Sequence, residues 1–336
     1  MAMDWMMRKQ LMAVSLLLPL VTQAAPELSE ATRAAFVAEA VAAHALEASE
    51  VEGWLANARY QQSIIDAITR PAEGKPWKAY RPIFMNTARI DGGKAFLREH
   101  WTALSDVEQR TGVPAELVVA IMGVETNYGR ITGSYRVLDA LYTLGLFYPP
   151  REAFFRSELA TLFKLAHDEA IDLSTVKGSY AGAMGWGQFM PSSYRAYAVD
   201  GDGDGRRDLW NSKPDIFASI ANYFVAHGWR ADEPVAVLAR KEATQEEIVA
   251  GSLEAKFGLA ELGAKGYRPT QAVGHDVLAT VLNLDGEAGR EYWITFNNFY
   301  VISRYNRSPL YSLAVFQLAE QIAQARASTQ SAVTAQ

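Results

Sequence analysis

The sequence predicts a mainly α (α+β) fold, in which a helical core and an N-terminal helical domain are accompanied by a small β insert. Apolar residues recur at three- and four-residue spacing over most of the chain, which is typical of amphipathic and buried helices. Short alternating runs such as EPVAVLAR and VLATVLNLDG occur only late in the chain, and they predict strands. The 336 residues are 49% hydrophobic and 21% charged, so a sizeable core is expected.

Residues 1–24 have the layout of a secretory signal peptide. A basic pair precedes an apolar run over residues 11–21, and small residues follow up to an expected cleavage point after Ala24 or Ala25. The run is short for a transmembrane helix, although an uncleaved anchor is the alternative. We therefore expect export to the periplasm.

Composition narrows the class of protein further. The chain has no cysteine, so disulfides and a thiol-linked lipid anchor are excluded. The net charge is −6 and no Lys/Arg-rich run occurs, which disfavours nucleic acid as a partner. No second apolar run approaches 20 residues, so the mature protein is expected to be a soluble monomer without a membrane anchor.

The first half of the chain is expected to be helical. Residues 27–69 contain few breakers, and residues 70–84 form a linker rich in proline, glycine and lysine. The helical pattern resumes through GKAFLREHWTALSDVEQRTG and ends at Gly112, a suitable C-cap. Residues 131–175 are again helical.

The second half contains a glycine-rich loop at residues 177–191, a helix at 216–229, the strand-like runs and a final helix that begins in SPLYSLAVFQLAEQIAQARA. The expected domains, after the signal peptide, are an N-terminal helical domain (25–105), a helical core (106–230 and 290–327), a β domain (231–289) and a disordered tail (328–336).

The segment PAELVVAIMGVETNYGR places one carboxyl group on an apolar helix. Pro114 suits the first turn, the following residues leave no polar face, and Glu125 lies in the last turn before Asn127 and Gly129. Burial and the negative end of the helix both disfavour the carboxylate, so the pKa of Glu125 should be raised. A general acid needs this property. The alternative is a solvated glutamate, or one paired with Arg130.

The loop segment GSYAGAMGWGQFMPSSY combines glycines with groups that could bind a sugar. Ser179 and Gln188 offer hydrogen-bonding groups, while Tyr180, Trp186 and Phe189 offer rings. The alternative is a structural turn before a helix.

The segment SRYNRSPLY adds Tyr305, Asn306 and Tyr311 at a helix start. Its Ser308 is a suitable N-cap, with proline at the first helical position.

Together, VETNYG, AGAMGWGQFMPSSY and YNRS resemble the motifs of the membrane-bound lytic transglycosylase B (MltB) family. These bacterial cell-wall enzymes have a goose-lysozyme-like core, and the resemblance covers about residues 30–325. It implies a lysozyme-like catalytic core at 106–230 and 290–327, peptidoglycan glycan strands as substrate, and Glu125 as the sole catalytic acid/base. It further implies that the glycan groove is lined by Ser179, Gln188, Phe189, Tyr305, Asn306, Tyr311, Tyr80, Tyr223 and Arg151.

One position departs from the family pattern. The family often carries two arginines after a Tyr-Pro pair, whereas FYPPRE has Pro150 in place of the first and keeps Arg151. The departure concerns one subsite contact and leaves the chemistry unaffected.

The resemblance implies a lytic reaction. Glu125 would protonate the oxygen that links N-acetylmuramic acid to N-acetylglucosamine, and would then take the proton of the muramoyl C6 hydroxyl as it attacks C1. Most glycosidases use two carboxyl groups, and the motifs contain no second one. The alternatives are a hydrolytic muramidase of the same fold and a non-catalytic, calcium-binding peptidoglycan module. The sequence identifies no protein partner among cell-wall synthesis or division proteins.

The segment DGDGDGRRDLWN predicts an EF-hand-like calcium loop within residues 200–215. Aspartates occupy positions one, three, five and nine, and Gly205 occupies position six, where such loops turn sharply. Position twelve is Asn211 rather than the usual glutamate, and Asp215 is the candidate substitute. We expect a structural Ca²⁺ site with these ligands: Asp200, Asp202, Asp204, the carbonyl of Arg206, Asp208 and Asp215. An acidic turn without a metal is the alternative.

Overall fold

The computed structural model describes residues 26–70, 74–274 and 277–326. The predicted signal peptide (1–24) and the predicted tail (328–336) lie outside these residues. Within the described ranges, no helix is both long enough and apolar enough to cross a membrane.

Helices dominate the described chain, as the sequence predicts. The stretch at 27–69 divides into three helices, and Ser29 caps the first by accepting a hydrogen bond from the backbone N–H of Thr32. In chain order the α-helices are α1 (Glu30–His44), α2 (Ala48–Asn57), α3 (Gln62–Ile68), α4 (Trp77–Phe84), α5 (Thr87–Glu99), α6 (Trp101–Thr111), α7 (Ala115–Thr126), α8 (Val137–Phe147), α9 (Glu152–Glu169), α10 (Pro191–Tyr197), α11 (Lys213–Ala226), α12 (Leu259–Ala264), α13 (Asn297–Tyr305) and α14 (Pro309–Ala323).

The strands form two antiparallel sheets. A two-residue pair, β1 (Tyr135–Arg136) and β2 (Lys177–Gly178), closes the base of the glycine-rich loop. The larger sheet has the order β4-β3-β6-β5. Its strands are β3 (Ala236–Lys241), β4 (Tyr267–Pro269), β5 (Ala279–Gly286) and β6 (Gly289–Phe296).

The predicted boundary of the β domain at residue 289 is wrong. Strand β6 begins there and continues to Phe296, because it pairs with β3 on one side and with β5 on the other. On one face of the sheet, the apolar side chains of the strands pack against one another and against α12. The opposite face, through Trp293 and Leu284, packs against Trp77 of α4 and Leu313 of α14.

The predicted linker at residues 70–84 is also wrong in its second half, since residues 77–84 form α4. Pro76 occupies the N-cap, where proline loses no helical hydrogen bond. Trp77 is 1% exposed, and the burial of its ring offsets the cost of Pro82 inside the helix.

The expected N-terminal helical domain (25–105) has no core of its own. Helices α1–α3 bury Phe36 and Ile64 in an apolar cluster with α8 and α9. Helices α5 and α6 bury Leu97 and Leu104 in a second cluster with α7, α11 and α14. Helix α6 also runs across residue 105. Helices α1–α3, α5 and α6 therefore belong to the two halves of one helical body, whereas α4 packs against the larger sheet.

Candidate active site

Helix α7 is part of the second apolar cluster, and Glu125 lies in the last turn of this helix. Its residues from Leu117 to Met122 are buried, which is why the helix lies in the centre of the body. The helix ends at Asn127, which adopts a left-handed conformation with φ 50°, and Tyr128 follows with φ 60°. These two residues turn the chain sharply, directly behind the carboxyl group.

Among the residues that the structure describes, the carboxyl group of Glu125 has one hydrogen-bond partner. The phenol of Tyr311 donates to Oε1 at 2.6 Å. None of the ion pairs in the described part of the chain involves Glu125, and Arg130, the alternative partner, is exposed. Atoms of the protein enclose the carboxyl group, although part of its surface still meets solvent.

Burial raises the pKa of Glu125 to about 7, and the hydrogen bond from Tyr311 opposes this rise. The direction agrees with the sequence-based expectation. The guanidinium of Arg89 donates to the carbonyl of Gly123 in the last turn of α7, which opposes the effect of the negative helix end on Glu125. A positive charge therefore sits at the negative pole of the helix. At neutral pH the carboxyl group of Glu125 is present in both protonation states.

Aromatic side chains surround the site. The phenol of Tyr305 donates to the carbonyl of Gly187 at 2.6 Å, and its ring lies 6.0 Å from that of Phe189 and 4.7 Å from that of Tyr223. Burial and then the charge of Glu125 raise the pKa of Tyr305 and also that of Tyr311. These phenols therefore stay neutral and keep their donor protons.

Two further tyrosines predicted for the groove lie near this cluster. The phenol of Tyr223 donates to the carbonyl of Arg304 at 2.6 Å, and burial raises its pKa to about 12. Burial, and after it the charge of Glu125, raise the pKa of Tyr80, which places this phenol within electrostatic range of the carboxyl group.

The glycine-rich loop packs against the end of α7. The hydroxyl of Thr126 donates to the carbonyl of Trp186 at 3.1 Å and accepts from the N–H of Gly129 at 3.0 Å. Gly129 has φ 79°, and a Cβ there would lie 2.3 Å from the Trp186 ring, so only glycine permits this contact. The loop is thus held beside Glu125.

The predicted side chains of this loop have clear local roles. The hydroxyl of Ser179 accepts from the N–H of Ala183 at 3.0 Å, and the amide of Gln188 donates to the carbonyls of Thr132 and Gly185. These contacts fix the loop. The oxygen of Gln188 and the proton of Ser179 have no partner among the described residues.

The YNRS segment orients Tyr311. The side-chain oxygen of Asn306 accepts from the N–H of Ser308 at 3.0 Å, and the hydroxyl of Ser308 accepts from the N–H of Tyr311. Ser308 is the N-cap of α14, as predicted. The structure therefore connects the segment to Glu125 through the start of this helix.

Arg151 is the one predicted groove residue that the structure does not connect to this cluster. Its guanidinium lies over the rings of Phe154 and Phe155, at 4.5 and 4.9 Å from their centroids. These contacts place it at the start of α9.

The aspartate loop brings three carboxyl groups together. Oxygen atoms of Asp200, Asp202 and Asp204 all lie within 4.8 Å of one another. Backbone N–H groups of Gly203 and Gly205 donate to Asp200, and hydrogen bonding from the latter is the main cause that lowers the pKa of Asp200. The three carboxylates are exposed and converge, which is the donor set that Ca²⁺ prefers.

Asp215, the proposed substitute for position twelve, is buried behind this loop. Its two oxygens accept from the N–H groups of Gly201 and Asp208, both at 2.7 Å, and burial raises its pKa. Asp208 itself accepts from Trp210 and Asn211. Asp208 and Asp215 therefore hold the shape of the loop. Within the described residues, the converging cluster consists of Asp200, Asp202 and Asp204.

Sequence reasoning missed two residues of the site. Thr126 follows the acid directly, and its place in a final helical turn next to a glycine-rich loop was an available signal. Arg89 had no such signal, because it lies on α5 and meets the end of α7 only in the folded chain.

The comparison with known proteins agrees with this geometry. The family model described as "Transglycosylase SLT domain" matches residues 29–320. The chain is 39% identical over 301 residues to membrane-bound lytic murein transglycosylase B of Escherichia coli (strain K12), which covers 87% of this chain and 82% of that protein.

Three solved structures are similar over most of this chain. Catenated lytic transglycosylase SltB1 from Pseudomonas aeruginosa has a TM-score of 0.83 at 47% identity, covering 89% of this chain and 98% of that one. Escherichia coli Slt35 in complex with calcium has a TM-score of 0.80 at 39% identity, covering 88% and 94%. Pseudomonas aeruginosa SltB3 in complex with NAG-NAM-pentapeptide has a TM-score of 0.78 at 32% identity, covering 87% and 79%. The core is therefore lysozyme-like, as expected, and the chain belongs to the transglycosylase SLT domain family.

Proposed function

We propose that the protein is a peptidoglycan lytic transglycosylase. It cleaves the β-1,4 bond between N-acetylmuramic acid and N-acetylglucosamine and leaves a 1,6-anhydromuramoyl end. The observation that carries the reaction is the carboxyl group of Glu125, which is largely enclosed by protein, has a pKa of about 7 and accepts a hydrogen bond from the phenol of Tyr311. The relatives named as lytic transglycosylases support the reaction class. The SltB3 complex supports a glycan substrate that carries peptides.

In the first step Glu125 acts as a general acid. Its proton passes to the glycosidic oxygen as the bond from this oxygen to C1 of the muramoyl residue breaks. The N-acetyl oxygen of the same sugar stabilises the positive charge that develops at C1. The N-acetylglucosamine end leaves with a new hydroxyl, and Glu125 is left as a carboxylate.

In the second step this carboxylate acts as a general base. It takes the proton of the muramoyl C6 hydroxyl as the oxygen bonds to C1, which closes the 1,6-anhydro ring and restores the acid. No water is consumed. A pKa near 7 suits both steps, since the group must give and then accept a proton at the same pH.

The lytic reaction needs one carboxyl group, whereas most glycosidases use two, held roughly 5–9.5 Å apart. The sequence motifs that contain and accompany Glu125 carry no second carboxyl group.

The groove residues are proposed to act as follows. Tyr305 and Tyr80 keep neutral phenols near the carboxyl group, and Tyr223 packs against the ring of Tyr305. Ser179, Gln188 and Asn306 lie on the loop and helix start that flank the carboxyl group. Phe189 packs behind Tyr305. Arg151 stands apart from this set, and we propose it only as an outer contact to the substrate.

The products of digestion test the reaction. Purified cell-wall sacculi digested by the protein should release muropeptides with anhydromuramoyl ends, as detected by mass spectrometry. Each such end weighs about 18 Da less than a hydrolysed one, because a molecule of water has not been added. Reducing muramic acid ends in their place would identify a hydrolytic muramidase and overturn the proposal.

We further propose that the aspartate loop binds one structural Ca²⁺ ion. The convergence of Asp200, Asp202 and Asp204 supports it, and so does the calcium complex of Slt35. The ion would neutralise three carboxylates that otherwise repel one another, and so would stabilise the loop between α10 and α11.

We infer that the protein acts in the periplasm, as a monomer. The predicted signal peptide supports export, and peptidoglycan lies outside the cytoplasmic membrane.

A further inference from the structure

Gln188 has an unusual backbone conformation for a residue that carries a side chain. Its φ is 52°, which lies in the left-handed region that favours glycine. It occupies the last position of a four-residue turn, residues 185–188, which is closed by two backbone hydrogen bonds of 2.9 Å between Met184 and Phe189. Such strain persists only where the surrounding structure enforces it, and it is common at sites that bind ligands.

The carboxamide of Gln188 has one polar atom to spare. Its nitrogen donates to the carbonyls of Thr132 and Gly185, at 3.1 and 3.0 Å, so both amide protons are engaged. Its oxygen accepts no hydrogen bond within the described residues. This oxygen can therefore accept a hydrogen bond from a hydroxyl or an N–H group of a sugar.

Three hydrogen bonds from other segments hold the turn. The N–H of Trp186 donates to the carbonyl of Leu209 at 3.1 Å, and the carbonyl of Trp186 accepts from the hydroxyl of Thr126 at 3.1 Å. The next carbonyl, that of Gly187, accepts from the phenol of Tyr305 at 2.6 Å. The turn is thus fixed immediately before its strained last residue.

Thr126 provides the one contact in this set that comes from the helix of the acid. It follows Glu125 directly, it is 1% exposed, and its hydroxyl accepts from the N–H of Gly129 at 3.0 Å. The proton of the hydroxyl is shared between the carbonyls of Met122 and Trp186, at 3.2 and 3.1 Å. The position of the turn relative to the acid therefore depends on this hydroxyl.

We propose that Thr126 is a positioning residue for Gln188: its hydroxyl holds the turn so that the free oxygen of Gln188 accepts a hydrogen bond from the sugar beside Glu125. This inference rests on the proposed function, because it assumes that a glycan occupies the groove. The hydroxyl of Thr126 bonds to backbone groups and not to the carboxyl group. Thr126 therefore acts on the binding of substrate and leaves the protonation of Glu125 unchanged.

The first test is Thr126→Val, which keeps the shape of the side chain and removes the hydroxyl. The KM for solubilised glycan strands should rise about 2- to 10-fold, the effect of one lost hydrogen bond to the sugar, while kcat and the pH dependence of kcat/KM stay as in the parent. Thr126→Ser, which keeps the hydroxyl, should retain the parental KM. Thr126→Ala should behave as Thr126→Val does, and its smaller side chain tests the proposal where valine does not fit.

A double-mutant cycle distinguishes this role from a general loosening of the site. Gln188→Asn keeps a residue that tolerates the left-handed conformation but withdraws the oxygen by one methylene group, so it should itself raise KM. Because Thr126 acts through Gln188, adding Thr126→Val to Gln188→Asn should raise KM little further. Independent action would instead multiply the two effects on KM.

Thr161 provides the matched control. It is also a buried threonine on a helix, and its hydroxyl donates to the carbonyl of Ser157 one turn earlier, but it lies on α9. Thr161→Val should leave KM unchanged. A parental KM in Thr126→Val, a fall in kcat in place of the rise in KM, or multiplied effects in the double variant would overturn the positioning role. None of these outcomes concerns the products of the parent protein, so the proposed reaction holds or fails separately.

Discussion

Two acidic regions of this protein use the same chemical group in opposite ways. Glu125 stands alone at the end of a buried helix, where burial raises its pKa to about 7. Asp200, Asp202 and Asp204 stand together on an exposed loop, where backbone N–H groups lower the pKa of Asp200. The first carboxyl group can carry a proton close to neutral pH, whereas the pKa of Asp200 lies below its usual range.

The neighbours in sequence explain this difference. Around Glu125 they are apolar and helical, so their N–H groups are already bonded within the helix and cannot reach the carboxylate. Around Asp200 they are glycines in turns, and the free N–H groups of Gly203 and Gly205 point at the side chain. The end of α7 therefore desolvates Glu125 without offering it backbone hydrogen bonds. The aspartate loop instead offers backbone hydrogen bonds to Asp200 and leaves its carboxylate exposed.

The largest expected effect follows from replacing the lone acid. The substitution Glu125→Gln keeps the size of the side chain and can still accept the hydrogen bond from Tyr311, but it removes the transferable proton. We expect turnover of purified sacculi to fall by about 10²- to 10⁴-fold, the usual contribution of general acid–base catalysis. Binding to insoluble peptidoglycan, measured by co-sedimentation, should be retained.

Glu158 provides the matched control for that substitution. It is also a buried glutamate on a helix, and burial raises its pKa, but its oxygens accept from the N–H and hydroxyl of Ser192 at the start of α10. The change Glu158→Gln should alter the melting temperature more than turnover. Turnover at the parental rate in Glu125→Gln would show that Glu125 is not the catalytic acid.

The next effect concerns the clustered carboxylates. Adding Ca²⁺ in roughly 100-fold excess over its Kd to chelator-treated protein should raise the melting temperature by about 5–10 °C, because the ion binds only the folded loop. The change Asp200→Asn should abolish this increment. In chelator it should melt slightly below the parent, because an amide has one acceptor oxygen for the two N–H groups of Gly203 and Gly205 that donate to Asp200.

Differential scanning calorimetry with and without chelator measures this effect. Asp66→Asn, at an exposed residue on α3, should keep the full calcium increment. Parental behaviour in Asp200→Asn, or no response of the parent to Ca²⁺, would indicate an acidic turn without a metal.

The comparison also shows which features a sequence can reveal. Both acidic regions were predictable because each depends on its own segment: an apolar helix that ends at Asn127, and aspartates alternating with glycine. Features that join distant segments were not predictable. Arg89 at the end of α7 is one, and another is the division of the N-terminal helices between two apolar clusters. Local polarity also misled the prediction at 70–84, where the burial of Trp77 against the sheet makes a helix from a proline-rich segment.

The smallest expected effect tests the two opposing influences, burial and the phenol of Tyr311, that set the pKa of Glu125. Burial raises the pKa of this group and the phenol of Tyr311 lowers it, so Tyr311→Phe should raise the pKa further. Because the reaction begins with the protonated acid, kcat/KM should fall as the pH rises through about 7 in the parent protein. In the variant this alkaline limb should move to higher pH, by up to about one unit for the loss of one hydrogen bond.

The matched control removes the same atom from another phenol that donates to a carboxylate. The hydroxyl of Tyr292 donates to Glu247 at 2.9 Å in the β insert, where the carboxylate is exposed and also bonded to Arg290. Tyr292→Phe should leave the pH profile of kcat/KM unchanged. A limb that stays fixed in Tyr311→Phe, or moves to lower pH, would show that the titration governing turnover belongs to a group other than Glu125. A shift of the alkaline limb to higher pH in Tyr311→Phe, and not in Tyr292→Phe, would assign the titration that governs turnover to Glu125. At Glu125 the hydrogen bond from one phenol opposes the effect of burial on the pKa.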